Sequence, residues 1–81
     1  MSWADLDPAI RELAEQELTP LQLEVLTLTL DGIPLRAIAY HLDRSRAAIN
    51  DRLDAAYRKL RAHGLRFDPQ GRPYLQETNS R

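Results

Sequence analysis

A chain of 81 residues has room for one small domain, burying about 60 to 65% of its unfolded surface, so dimerisation is an expected source of added stability. With 43% hydrophobic and 28% charged residues it is neither a disordered composition nor a membrane protein, and the lack of cysteine excludes disulfides and thiolate metal sites. The net charge of −1 argues against a nucleic-acid partner only until its distribution along the chain is taken into account.

Met1 to Leu6, with Trp3, leads into a first helix for which Asp7 is the N-cap and Pro8 the first helical residue. That helix runs to about Glu17 with Ile10, Leu13 and Ala14 as its apolar stripe, which marks it for packing onto a core. Thr19-Pro20-Leu21-Gln22 is a capping box that starts a second helix, with Leu18 placed to staple onto Leu23. The second helix continues through Val25, Leu26, Leu28 and Leu30 and stops at Gly32. Its leucines fall on more than one face, which predicts the most buried helix of the set, and Thr27 and Thr29 leave packing to hold it.

A third helix spans about Leu35 to Leu42, and Ile33-Pro34 gives it no ordinary polar cap. The fourth starts at Arg46, with Ser45 as N-cap, and runs to residue 62 or 63 before Gly64 ends it. Asp68-Pro69-Gln70-Gly71 is then a turn signal between Phe67 and Tyr74-Leu75, which predicts a small hairpin or an extended arm. The polar residues 76–81 are expected to be disordered. The predicted fold is therefore all-α. A helical domain over residues 1–64 forms a bundle of about four helices, and a partly ordered tail covers 65–81.

Residues 34–62 have the outline of a helix-turn-helix. Leu35, Ile38, Ala39 and Leu42 line one short helix, and Ile49, Leu53, Ala56, Tyr57 and Leu60 line the next. Ala39 allows the two helices to approach closely. Asp43 stands where the chain must leave the first helix in a left-handed conformation, which Asp tolerates better than most residues. Ile49 then falls on the inner face opposite Ile38, so the two helices share one small core.

Charge divides the chain. Residues 1–32 carry seven acidic side chains against Arg11, whereas residues 33–64 carry seven basic ones against Asp43, Asp51 and Asp54. A phosphate backbone meets that local field and not the sum.

An ordered set of residues at fixed spacing resembles the DNA-binding domain of LuxR-type regulators: Leu18-Thr19-Pro20, Glu24-Val25-Leu26, Gly32, Ile38-Ala39, Leu42, Ser45, Ile49 and Arg58-Lys59-Leu60. Ser45-Arg46 and Ala56 to Arg61 also resemble region four of bacterial sigma factors. The resemblance spans Leu18 to Arg61. It implies that the fourth helix enters the major groove with its N-terminal residues on base edges. The base-facing positions are then Arg46, Ala47, Asn50 and Asp51, and the phosphate-facing ones are Arg36, Arg44, Arg52 and Arg58. Arg46 is suited to guanine O6 and N7, Asn50 to adenine N6 and N7, and Asp51 to cytosine N4.

The chain departs from both families at four places. Asp43-Arg44 replaces the usual Gly and apolar residue, Pro34 replaces a Ser or Thr cap, Ala47 and Ala48 replace polar residues, and Asp51 and Asp54 oppose a polyanion.

No nucleophile, base and orienting group occur at recognisable spacing, His41 and His63 are too few for a metal site, and no cofactor is implied. An enzyme is the least expected class. With no apolar run near the ~20 residues a bilayer needs, and no basic and apolar leader, a cytoplasmic location is expected. Two readings follow. One is a sequence-specific transcription regulator on double-stranded DNA, acting as a homodimer. The other is a sigma-like interaction module that binds RNA polymerase or another transcription protein.

Overall fold

The computed structural model describes residues 2–76, so the expected disorder of residues 76–81 lies, from residue 77 onward, outside the described residues. A single 3₁₀ turn, Trp3–Asp5, precedes four helices: α1 (Pro8–Glu17), α2 (Pro20–Leu30), α3 (Leu35–His41) and α4 (Arg46–Ala62). An antiparallel hairpin of β1 (Leu65–Phe67) and β2 (Pro73–Leu75) completes the fold. The protein is mostly helical, as the periodicity predicts, and the C-terminal stretch forms a hairpin and not a free arm.

Three of the four helices begin on a side-chain oxygen. Asp7 Oδ1 accepts the Ala9 N–H at 2.9 Å, and Ser45 Oγ accepts that of Ala48 at 3.1 Å. At α2 the capping box is complete, with Gln22 N–H donating to Thr19 Oγ1 at 3.2 Å and Thr19 N–H to Gln22 Oε1 at 3.1 Å. Pro34 supplies α3 with no such acceptor.

The ends of α2 and α3 share one construction. Gly32 has φ +90°; its N–H donates to Thr29 O at 3.0 Å while the Ile33 N–H donates to Leu28 O at 3.1 Å. At α3 the same pair of bonds runs from Asp43 N–H to Tyr40 O, 3.2 Å, and from Arg44 N–H to Ala39 O, 2.9 Å. Asp43 takes the left-handed position there with φ +53°, as its place in the motif predicts. Leu42 caps α3 and stands just outside it, one residue short of the expected helix.

Of the eleven residues of α2 only Pro20 and Glu24 are exposed, so this helix fits its prediction. Its two threonines donate their hydroxyls to the carbonyls of Leu23 and Val25 at 2.7 and 2.8 Å, which satisfies them without a partner from elsewhere.

The core is divided in two. Leu6, Ile10, Ala14, Leu18, Leu26, Ala56, Leu60 and Leu65 form one cluster, and Trp3, Leu23 and Leu75 pack against it. Val25, Ile38, Ala39 and Ile49 form the other. Leu53 touches both. Helices α2 and α4 therefore run as a shared spine, with α3 against the N-terminal half of α4 and α1 and the hairpin against the C-terminal half.

The hairpin pairs Leu65 with Leu75, Arg66 with Tyr74 and Phe67 with Pro73. Its turn is organised by Asp68, whose Oδ1 accepts the N–H groups of Gln70 at 3.0 Å and Arg72 at 2.8 Å. Among the described residues no helix is long and apolar enough to cross a membrane.

Candidate nucleic-acid interface

The turn of Leu42 to Ser45 holds α4 against α3, and Ile38 and Ile49 meet in the smaller cluster as their opposed positions predict. With the apolar side inward, the polar side of both helices faces solvent. Arg36, Arg44, Arg46, Ala47, Asn50, Asp51, Arg52 and Arg58 are all exposed.

Exposure does not place them on one face. At about 100° per residue, Ala47, Asp51 and Arg58 occupy the side of α4 turned away from Ile49, Leu53, Ala56 and Leu60, Asn50 lies on one flank of it, and Arg46, the first residue of the helix, is exposed although it lies within about 20° of Leu53. Asp54 and Arg61 share that side. Arg52 lies about 200° around the helix from Asn50 and within about 20° of Lys59. The helix thus brings Arg46 and Asn50 together one turn apart on one flank, sets Arg58 on the outward side, and carries Arg52 to the opposite flank.

Among the described residues none of these arginines is paired with a carboxylate; the contact of that kind that does form there is His63 Nε2 with Glu17 Oε1, 3.1 Å, between α4's end and α1, an ion pair only when the imidazole is protonated. The guanidinium charge of the α3–α4 surface is therefore not neutralised by an ion pair among the described residues. Asp51 and Asp54 are exposed on the same face and, among the described residues, unpaired, so the surface is mixed and not uniformly positive.

Lys59 is a different case. Its ammonium donates to Gln22 Oε1 at 3.1 Å and lies 3.4 Å from the Glu17 carbonyl, at the negative end of α1. One of the seven basic side chains of residues 33–64 thus serves the packing of α4 on the α1–α2 corner. Sequence spacing gave no signal for this, because the partners are 37 residues apart.

Tyr40 is the residue that motif reasoning passed over. It is 90% exposed, far more than Ile33, Phe67 or Tyr74 at 39 to 46%. A signal was present in the period: Tyr40 is four residues after Arg36, which puts both on the side of α3 opposite Ile38.

The recess between the hairpin and α4 is lined by Leu6, Ile10, Tyr57, Leu65, Phe67 and Pro73, all through apolar atoms. Tyr57 meets Phe67 edge-on at 6.0 Å. Burial raises the Tyr57 phenol above its ordinary pKa of 10.0, and the Arg61 guanidinium pulls in the other direction. Among the described residues no three His, Cys, Asp or Glu side chains gather to hold a metal ion.

The chain matches no protein-family model, no curated protein and no solved structure.

Proposed function

We propose that this chain is a sequence-specific DNA-binding transcription regulator that reads the major groove with the N-terminal half of α4. On this reading it belongs with the LuxR-type and sigma-region-four helix-turn-helix domains that its residues 18–61 resemble. One observation carries the proposal. Arg46 and Asn50 stand one turn apart on one flank of α4, exposed and free of ion pairs among the described residues, and Arg36, Arg44 and Arg58 are exposed as well.

The chemistry fits base reading. A guanidinium and a carboxamide are the side chains that pair bidentately with guanine and adenine. The other exposed arginines supply the phosphate contacts that fix register. Asp51 and Asp54 subtract from that attraction, and one helix reads only a few base pairs, so useful affinity comes from two copies on two half-sites.

The test is selection of a random duplex pool by the purified protein at two salt concentrations, with its mass in solution measured alongside. Enrichment of a motif, with binding that weakens steeply as salt rises, is the expected outcome. A palindromic motif identifies a symmetric dimer.

A second reading is favoured by the two exposed carboxylates of α4 together with the acidic side of α1, where Glu12 and Glu15 are exposed. It is a protein-interaction module that uses the same fold to bind RNA polymerase or another transcription protein. Absence of enrichment, with little binding even at low salt, selects it.

A further inference from the structure

We propose that Tyr40 is a DNA-backbone contact, its phenol hydroxyl donating to a phosphate oxygen beside the groove that α4 reads, on the side of α3 that also carries Arg36. This rests on the reading of α4 given above and extends the footprint onto α3.

The fold has no use for this side chain. Tyr40 is 90% exposed, and among the described residues its ring stacks on no other and its hydroxyl bonds to none. Among the described residues every other large apolar side chain of comparable size is at least half covered.

Its surroundings select an anion. Arg36 is one turn earlier on the same side of α3, a rise of about 6 Å, close to the spacing of successive phosphates along a strand. Arg44 is tied to the last turn of α3 by its N–H bond to Ala39 O at 2.9 Å. Between residues 32 and 50 the chain holds Arg36, Arg44 and Arg46 against the single carboxylate of Asp43. The first helix of a helix-turn-helix crosses the backbone. A tyrosine there brings a strong donor at low entropic loss, since only two side-chain torsions must be fixed.

A neutral donor leaves a distinctive trace. Neutralising an arginine removes counterion release and lowers the slope of log affinity against log salt by about 0.9 per phosphate contact. Removing a phenol hydroxyl weakens binding and leaves that slope unchanged.

The experiment compares the full chain with its Tyr40→Phe, Tyr40→Ala and Arg36→Gln variants, on the random duplex pool and on the duplex enriched from it, across a salt series. Thermal unfolding of each variant accompanies the series, and exposure of both positions predicts no change in it. Tyr40→Phe is expected to weaken binding to both duplexes by about 5- to 20-fold at constant salt slope. Arg36→Gln is expected to lower affinity and slope together. Binding by Tyr40→Phe equal to the parent's overturns the inference, as does loss in Tyr40→Ala alone, which assigns the ring to stacking. Loss on the enriched duplex only makes Tyr40 a base reader and overturns it also. If the parent chain binds neither duplex at low salt, the DNA reading itself fails, an outcome distinct from an inert Tyr40→Phe in a chain that binds.

Discussion

Lys59 Nζ lies 3.1 Å from Gln22 Oε1, the same oxygen that accepts the Thr19 N–H at the cap of α2. One oxygen of the buried Gln22 side chain therefore joins the start of α2 to the C-terminal half of α4. Lys59→Met, which keeps the stem and removes the charge, should lower unfolding free energy by about 1 to 2 kcal/mol. Gln22→Ala loses the cap bond as well and should cost about 2 to 3 kcal/mol. Urea unfolding measures both; equal stability of all three proteins would show that the contact contributes nothing. Lys59→Met should also leave the salt slope of DNA binding unaltered, unlike any phosphate-facing arginine.

Gly64 has φ +103°, and a methyl group there would meet the Gln76 carbonyl oxygen at 3.0 Å. That contact sits where the Gln76 N–H donates to Gly64 O at 2.8 Å and ties the hairpin back to α4. Gly64→Ala should destabilise by about 2 to 3 kcal/mol, combining backbone strain with the displaced strand. Gly32, at φ +90° with open space around it, offers the control, since Gly32→Ala bears the strain alone. The smaller loss in Gly32→Ala, read from denaturation midpoints, checks the difference.

Tyr57 links stability to alkaline pH. Its folded pKa lies above the ordinary 10.0, so the folded chain holds a proton that the unfolded chain releases. The stability this contributes is fully present below the unfolded value and is lost as pH rises through the folded one. Wild-type protein should thus lose more stability than Tyr57→Phe when urea unfolding is moved from neutral pH to above 10.0. Identical losses would remove Tyr57 from the alkaline transition.

Helix geometry separates the arginines. Arg46→Ala and Asn50→Ala should relax discrimination at one base position each, by about 1 to 3 kcal/mol. Arg36→Ala, Arg44→Ala and Arg58→Ala should weaken all sequences alike. Arg52→Ala should have the least effect of the set, because Arg52 is on the Lys59 flank. Competition binding with single-base variants of the selected duplex resolves these three classes, and uniform behaviour across them would sink the assignment of readers.

Much of this architecture is legible in the chain because its determinants are local. Thr19 and Gln22, Asp7 and Pro8, Gly32 and Asp43 each act within a turn of their own position, and each does what its chemistry predicts. The Asp68 turn is of the same kind. Contacts that join distant segments are not legible in that way: Lys59 with Gln22, His63 with Glu17, and Trp3, whose N–H donates to Asp31 Oδ1 at 2.9 Å, depend on how the helices are stacked. Arg52 and Tyr40 form a middle class. The 3.6-residue period assigns both to their faces, yet a motif template records only that a basic residue is present and passes over an aromatic outside the core pattern.

The unequal partition of the core sets an order of opening. Eight buried side chains hold α1, the far half of α4 and the hairpin together, whereas α3 and the start of α4 rest on Val25, Ile38, Ala39 and Ile49. The smaller unit forfeits less apolar burial when it separates, so its amide hydrogens should exchange through excursions below global unfolding. The surface proposed to read DNA therefore rests on the smaller of the two clusters. If the chain binds DNA as proposed, the duplex should slow exchange in α3 by mass action while the amides of α1 keep their own rates.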